Sequence, residues 1–193
     1  MPRDTGARRP APDAALFQAL AQLVRQYQLP LQALHDLLDA FSQDVTKSRY
    51  ANFTEVVDYA RRSADPVGRL MLHLYGALED DGTRAENLAC SDAICSALQF
   101  INFWQDVEID FRKDRIYLPQ EDLARFGVGE HDLRSGADTA AWRALMAFEV
   151  ERARALMHSG APLARRLPGR IGWELRLIVQ GGLRILERIE RAD

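Results

Sequence analysis

Residues 99–119 read QFINFWQDVEIDFRKDRIYLP, and the run from Gln99 to Asp110 decides how the chain folds. Wound on a helix at about 100° per residue, Gln99, Asn102, Asp106 and Asp110 fall in one narrow stripe, which Cys95 and Asp92 extend toward the N-terminus. Ile94, Ala97, Leu98, Phe100, Ile101, Trp104, Val107, Ile109 and Phe111 cover most of the remaining circumference, broken by Ser96, Gln105 and Glu108. A helix that is apolar nearly all round is a buried one. The pattern therefore predicts a largely buried helix with one polar line, which carries two carboxylates and two amides but no cation.

Residues four apart on a helix have Cβ atoms roughly 5–6 Å apart, where exposed like charges cost only a few tenths of a kcal/mol. Facing a cavity, at an effective dielectric of about 20, the same pair repels by about 3 kcal/mol before desolvation is counted. A buried pair needs a cation. Oxygen donors on one helical face suit Mg²⁺, which keeps several waters and bridges one or two carboxylates to substrate phosphates. The alternative is a solvated acidic face: Asp110 and Asp114 repeat the spacing, and spacing alone leaves both readings open.

The chain has 193 residues, 47% hydrophobic and 27% charged, the composition of a folded single domain rather than a disordered segment. A formal net charge of −3 gives no reason to expect nucleic acid as a partner. The two cysteines, Cys90 and Cys95, stand about 140° apart on a helix, so neither a disulfide nor a metal pair is expected, and a reducing cytoplasm fits. No apolar run reaches bilayer-spanning length, and the N-terminus lacks a signal-peptide core.

In chain order, the prolines of residues 1–13 predict a disordered lead-in, and the domain is expected over 14–193. Helical periodicity runs from Ala14 to Tyr27, stops at Leu29-Pro30, and resumes from Leu31 to Val45. In that second helix Asp36, Asp39, Gln43 and Asp44 read as solvated or capping residues. A third helix spans Asn52 to Ala64 with Thr54 as candidate N-cap, and Pro66 and Gly68 then break the pattern before Arg69 to Leu78. Glu79 to Ala85 reads as a polar turn ahead of the central helix. After it, Arg112, Lys113 and Arg115 bring positive charge to the carboxylate stripe, where it would suit a helix C-terminus or a bound diphosphate. Pro119 to Asp122 looks like a helix start, and Gly127, Gly129 and Gly136 mark a long surface connection. Asp138 or Thr139 caps a helix from Ala140 to His158, and a last helix covers Gly172 to Glu190, where Gly181-Gly182 permits close approach or bending. No stretch alternates with period two, and His35, His73, His131 and His158 are scattered.

Residues 99–119 resemble the second aspartate-rich segment of the squalene and phytoene synthase family, the all-α class I isoprenoid synthases. YARRSADPVG, Tyr59 to Gly68, resembles that family's tyrosine-containing segment ending in V-G. NFWQDV, SADPVGRL, LLDAFSQDV and GWELRLIVQGGLRILERIE are most similar to the bacterial hydroxysqualene synthase branch of hopanoid biosynthesis, and the resemblance runs from about Ala14 to Glu190. It implies an all-α isoprenoid synthase bundle in which Asp106 and Asp110 ligate Mg²⁺ bridged to a prenyl diphosphate. Gln99, Asn102 and Arg115 would contact the diphosphate or the metal's water, and Tyr59 would face the reacting carbons. The implied substrate is presqualene diphosphate, ionised and captured by water to give hydroxysqualene. The alternatives are a squalene or phytoene synthase that condenses two prenyl diphosphates head-to-head, farnesyl diphosphate being one such substrate, or a non-catalytic helical protein that binds a prenyl diphosphate. Partner enzymes of the squalene pathway and peripheral contact with the inner face of the membrane follow from the oily product. The family's first aspartate-rich motif has no match here, since Asp36, Asp39 and Asp44 lie in a later segment. The expectation is therefore an incomplete bundle, shortened at the N-terminus and at the C-terminus.

Overall fold

The computed structural model describes residues 12–136 and 138–191. In order, the helices are α1 (Pro12–Tyr27), α2 (Leu31–Gln43), α3 (Phe53–Ser63), α4 (Asp65–Leu74), α5 (Asp81–Gln105), α6 (Val107–Arg112), α7 (Gln120–Phe126), α8 (Glu130–Ser135), α9 (Ala140–Gly160), α10 (Leu163–Arg166) and α11 (Gly169–Arg191). Among the described residues the β-type pairing is a lone parallel bridge between Arg49 and Ile116, so the all-α expectation holds. Residues 1–11 of the expected lead-in lie outside the described residues, and Pro12 and Asp13 open α1 instead.

The axis of the bundle is α5, against which α3, α4, α9, α10 and α11 pack. Asp80 starts it by accepting the Gly82 N–H at 3.0 Å, so the helix begins inside the stretch expected to be a polar turn. Ile94, Ala97, Phe100, Ile101, Phe103 and Trp104 bury its apolar face. From α9 they meet Leu145, Met146, Val150, Ala153 and Met157, recurring at helical spacing. Each fully buried side chain of this size contributes about 1.5–3 kcal/mol of transfer free energy, which makes this contact the main source of cohesion.

Several boundaries differ from the sequence expectation for local reasons. Asn52, not Thr54, caps α3: its Oδ1 accepts the Glu55 N–H at 3.0 Å while Glu55 Oε2 accepts the Ala51 N–H at 2.8 Å. The Pro66-Gly68 break is a corner at Ala64, and Gly68 serves contact: a Cβ there would lie 2.4 Å from Ser91 Oγ and 2.6 Å from Cys95 Sγ. The glycine-marked connection holds the short helix α8, and Thr139 caps α9 by accepting the Trp142 N–H.

One long-range pairing positions the site. The segment between α2 and α3 runs beside the segment between α6 and α7: Ile116 N–H donates to Ser48 O, Gln120 N–H to Tyr50 O and Glu121 N–H to Ala51 O, at 2.9–3.0 Å. The Phe53 N–H at the start of α3 donates to Glu121 Oε1 at 2.8 Å. The C-terminus of α2 is thereby held against the polypeptide that follows the carboxylate stripe.

Candidate active site

The stripe is not one unbroken helix. At Asp106, with φ −98° and ψ 14°, the chain leaves the α-helical range, and α5 gives way to the one-and-a-half turns of α6. Hydrogen bonds from Asp106 N–H to Asn102 O at 3.0 Å and from Asp110 N–H to Asp106 O at 2.8 Å keep the i to i+4 register through the break, so the two carboxylates stay on neighbouring turns. The expectation of a buried helix fails beyond it: α6 has no buried residue, and Ile109 is half exposed. The reason is that α5 alone reaches the core, while α6 lies at its edge.

Along the stripe the residues take different parts. Asp92 is held by Arg69 in a two-pronged ion pair at 2.6 and 2.9 Å, so it is structural. Cys95 lines an apolar cavity. Gln99 is half-buried and Asn102 is exposed. The Asp110 side chain is 15% exposed, and burial, with a contribution from Asp106, pushes its carboxyl up against the opposing pull of Lys113 and Arg115. Lys113 Nζ stands 3.8 Å from Asp110 Oδ1, whereas Arg112 turns away to Glu108.

Tyr59, on the buried face of α3, lies across from these acids. Its hydroxyl donates to Asp44 Oδ2 at 3.0 Å. Burial above all, then Tyr117 and the bond to Asp44, hold the phenol far above its ordinary range, so it stays protonated. Tyr50, Tyr59 and Tyr117 form a triangle of rings with centroids 5.6–5.8 Å apart. Phe103, the neighbour of Asn102 on α5, stacks flat on Tyr117 at 3.8 Å. Four aromatic faces are thus packed beside the polar stripe, where a carbocation would be attracted to their π electrons.

Asp44 is the residue that sequence reasoning missed. Read as solvated or capping, it does occupy the C-cap of α2, but its side chain points inward and its Oδ1 is buried without a hydrogen-bond partner. Arg115 Nη2 donates to the Asp44 main-chain oxygen at 3.1 Å. A signal for it existed, because an acid at a helix C-terminus opposes the helix dipole and calls for another reason to be there. Tyr50 and Tyr117 were missed as well. Asp36 and Asp39 do face solvent or the surface, as expected, with Asp36 accepting from Gln32.

Among the described residues no three carboxylate, imidazole or thiol groups converge closely enough to cage a metal. Asp106, Asp110 and the orphaned Asp44 Oδ1 are all hard oxygen donors, which fits an ion that completes its shell with water and substrate phosphate. Adjacent to them along α5, Ser91, Cys95 and Leu98 join Gly68 and Leu72 of α4 and Leu175 of α11 around an apolar cavity of about 190 Å³. The eleven residues from Cys95 to Asp106 rise roughly 16 Å, so one helix face passes from oily cavity to carboxylates over the length of an extended hydrocarbon chain.

The chain and its fold have known counterparts. Residues 3–193 match the squalene/phytoene synthase family model. The hydroxysqualene synthase of Rhodopseudomonas palustris is 36% identical over 85% of this chain and 54% of its own length. Phytoene synthase 1 of Arabidopsis thaliana is 30% identical over 96% of this chain and 44% of its own. Among solved structures, squalene synthase HpnC from Alicyclobacillus acidocaldarius superposes with a TM-score of 0.83 at 39% identity, covering 91% of this chain and 65% of that one. The chain thus spans about half the length of the curated relatives it matches. By the extent of these matches and the fold they share, the chain belongs to the squalene/phytoene synthase family, whose place is in isoprenoid biosynthesis.

Proposed function

We propose that this chain carries the diphosphate-ionising half of a hydroxysqualene synthase site, acting on presqualene diphosphate with water as the captor. The observation that carries the proposal is the run along α5 and into α6 from the apolar cavity at Ser91 and Cys95 to the acids at Asp106 and Asp110. A prenyl diphosphate is apolar along its length and anionic at one end.

In this reading Asp106 and Asp110 would hold Mg²⁺, which would supply charge neutralisation for a departing diphosphate. Arg115 donates to a diphosphate oxygen, and Gln99 and Asn102 orient the headgroup from the same line. The apolar wall of Leu72, Leu98 and Leu175 excludes bulk water from the hydrocarbon. The carbon–oxygen bond breaks and diphosphate departs. The cation is sheltered by the faces of Tyr59, Tyr117 and Phe103. When water adds to the rearranged cation its proton passes to the Tyr59 oxygen as the Tyr59 hydroxyl proton moves to Asp44, which already accepts that bond.

Incubation of the chain with presqualene diphosphate and Mg²⁺, alone and joined to the N-terminal part of the Rhodopseudomonas enzyme, tests the proposal. Release of diphosphate with formation of hydroxysqualene, a secondary alcohol, is expected. A folded fusion that released neither would end it. A second reading is head-to-head condensation of two prenyl diphosphates, favoured by 30–32% identity to phytoene synthases. A hydrocarbon product from a prenyl diphosphate would select it. Titration with a diphosphate analogue separates both from a non-catalytic binder: affinity without turnover in the fusion assigns the chain to binding alone.

A further inference from the structure

Arg152, partly buried on α9, is held flat between two phenyl rings, its guanidinium carbon 4.2 Å from the Phe53 ring centre and 4.1 Å from that of Phe148. Its Nη1 donates to Asp122 Oδ2 at 2.5 Å and stands 3.4 Å from both carboxylate oxygens of Glu149. Asp122 is 2% exposed and Glu149 is fully buried. A guanidinium suits this place, since its plane stacks on aromatic faces while its edge still donates. No step of the reaction proposed above uses it.

Its partners sit where the walls of the candidate site begin and end. Phe53 opens α3, and its main-chain N–H donates to Glu121 Oε1 at 2.8 Å. Tyr59 follows about 9 Å further along that helix. Asp122 lies in the first turn of α7, directly after the segment 116–121 that carries Tyr117. At the other end of that segment Arg49 holds the turn at Asp114. The Tyr117 segment is thus tied at both ends, and the tie at Arg152 reaches the helix of Tyr59 as well. Arg152 meets Phe53 and Phe148 rather than the tyrosines, so whatever it does to them passes through the backbone of the two segments.

We infer that Arg152 is a positioning residue of the candidate site: by fastening the first turns of α3 and α7 to α9 it sets the 5.8 Å separation of the Tyr59 and Tyr117 rings, and with it the shape of the aromatic wall. That role rests on the reading of the wall as the shelter of a carbocation, whereas the placement of the rings is open to test without turnover. A general bracing of α7 is the competing account, and Arg125 supplies the comparison. From the last turn of α7, the end far from Tyr117, it lies 4.7 Å from the same Phe148 ring.

Arg152→Ala alone would strand Asp122 as a buried unpaired charge, so the test uses D122N/R152M, which replaces the ion pair with two uncharged side chains. Glu149, pushed up to about 8 chiefly by burial, keeps its proton at neutral pH. Nitration by tetranitromethane, mapped by mass spectrometry, should reach Tyr27 and Tyr75, which are 48% and 44% exposed, in every form of the chain, and spare the buried Tyr50, Tyr59 and Tyr117 in the parent. D122N/R152M should speed nitration of Tyr117 on the order of tenfold at parental helicity, through local opening. R152K keeps the charge but not the flat plate, so it should fall between the two and carries the comparison if the double variant does not fold. R125A should match the parent. In the fusion, D122N/R152M should lower kcat about tenfold or more with KM held within about twofold, because the wall and not the diphosphate site has moved. Tyr117 closed in both Arg152 variants, Tyr117 opened equally by R125A, or parental kcat in an active fusion overturns the inference. Tyr117 opened by D122N/R152M beside a parent fusion that releases no diphosphate keeps the placement and ends the reaction reading alone.

Discussion

The Tyr59 hydroxyl donates to Asp44 Oδ2 at 3.0 Å, while Asp44 Oδ1 is buried without a hydrogen-bond partner. A carboxylate held on one side and open on the other can accept one more proton or one more ligand. Tyr59→Phe removes a single hydrogen bond and should cost about 1 kcal/mol, a drop of about 2–4 °C in thermal midpoint. In the fusion assay it should slow alcohol formation about 10²-fold or more if Tyr59 relays the proton. Asp44→Asn should match it in rate; parent-like turnover in either variant removes the relay.

The acids of the stripe make a separable prediction. Asp106→Asn and Asp110→Asn should each weaken Mg²⁺-dependent binding of a diphosphate analogue about tenfold or more. Because burial already disfavours the charged form of Asp110, Asp110→Asn should leave stability unchanged or raise it slightly. Calorimetric titration with and without Mg²⁺ reads the first effect and urea unfolding the second. Analogue affinity that ignores the metal in the parent chain would count against Asp106 and Asp110 as ligands.

Arg49 holds the turn after the stripe. Its guanidinium donates to the main-chain oxygen of Asp114 at 2.7 Å and to Asp114 Oδ1 at 2.8 Å, and it also pairs with Glu130 at 2.9 Å. Asp114 has φ +58°, the left-handed region that glycine occupies most readily. Arg49→Ala should therefore destabilise the chain by about 1 kcal/mol or more. Adding Asp114→Gly should recover part of the loss, since glycine holds the turn without the clamp. Urea midpoints of the two single variants and the double variant form the cycle; simple additivity would show that Arg49 does not support the turn.

Two buried acids set a pH dependence. Glu149, fully buried on α9, is pushed up to about 8, chiefly by burial, with Arg152 opposing and Asp122 reinforcing the shift. Asp65, buried at the start of α4 and hydrogen-bonded by Ser96, is pushed up to about 7, again chiefly by burial. Both native values lie above the unfolded ones near 4, so the native state retains protons that the unfolded state releases. Stability is then full below about pH 4 as far as these groups are concerned, and is lost as pH rises toward 7–8. Unfolding free energy should fall between pH 5 and pH 8 on the order of 1 kcal/mol or more, and Glu149→Gln should flatten that slope. Equal slopes in the parent and the variant would mean that Glu149 is charged in the native state.

The register of the central helix was legible in sequence because it depends on spacing within one element. The i to i+4 hydrogen bonds carry Asn102, Asp106 and Asp110 through the break whatever packs around them. The break itself was not legible, since nothing in QDVEID distinguishes a helix that continues from one that leaves the core at Asp106. Likewise the cap on α3 was misassigned by two residues: Asn52 and Thr54 are both good caps, and only the pair of bonds from the Glu55 N–H to Asn52 Oδ1 and from the Ala51 N–H to Glu55 Oε2 decides between them.

By itself, then, the sequence determined an all-α chain, the register of the carboxylate line that runs from α5 into α6, and the likeness to a family, all of which rest on local periodicity or on ordered motifs. Tertiary structure alone decided that Asp44 faces Tyr59, that Tyr50, Tyr59 and Tyr117 share one cluster, and that Arg115 reaches the end of α2. The physical reason is the pairing of residues 48–51 with 116–121, a contact between segments more than sixty residues apart. Main-chain hydrogen bonds made at that separation leave no periodic trace in the side chains, and they are what turns a stripe on one helix into a walled site.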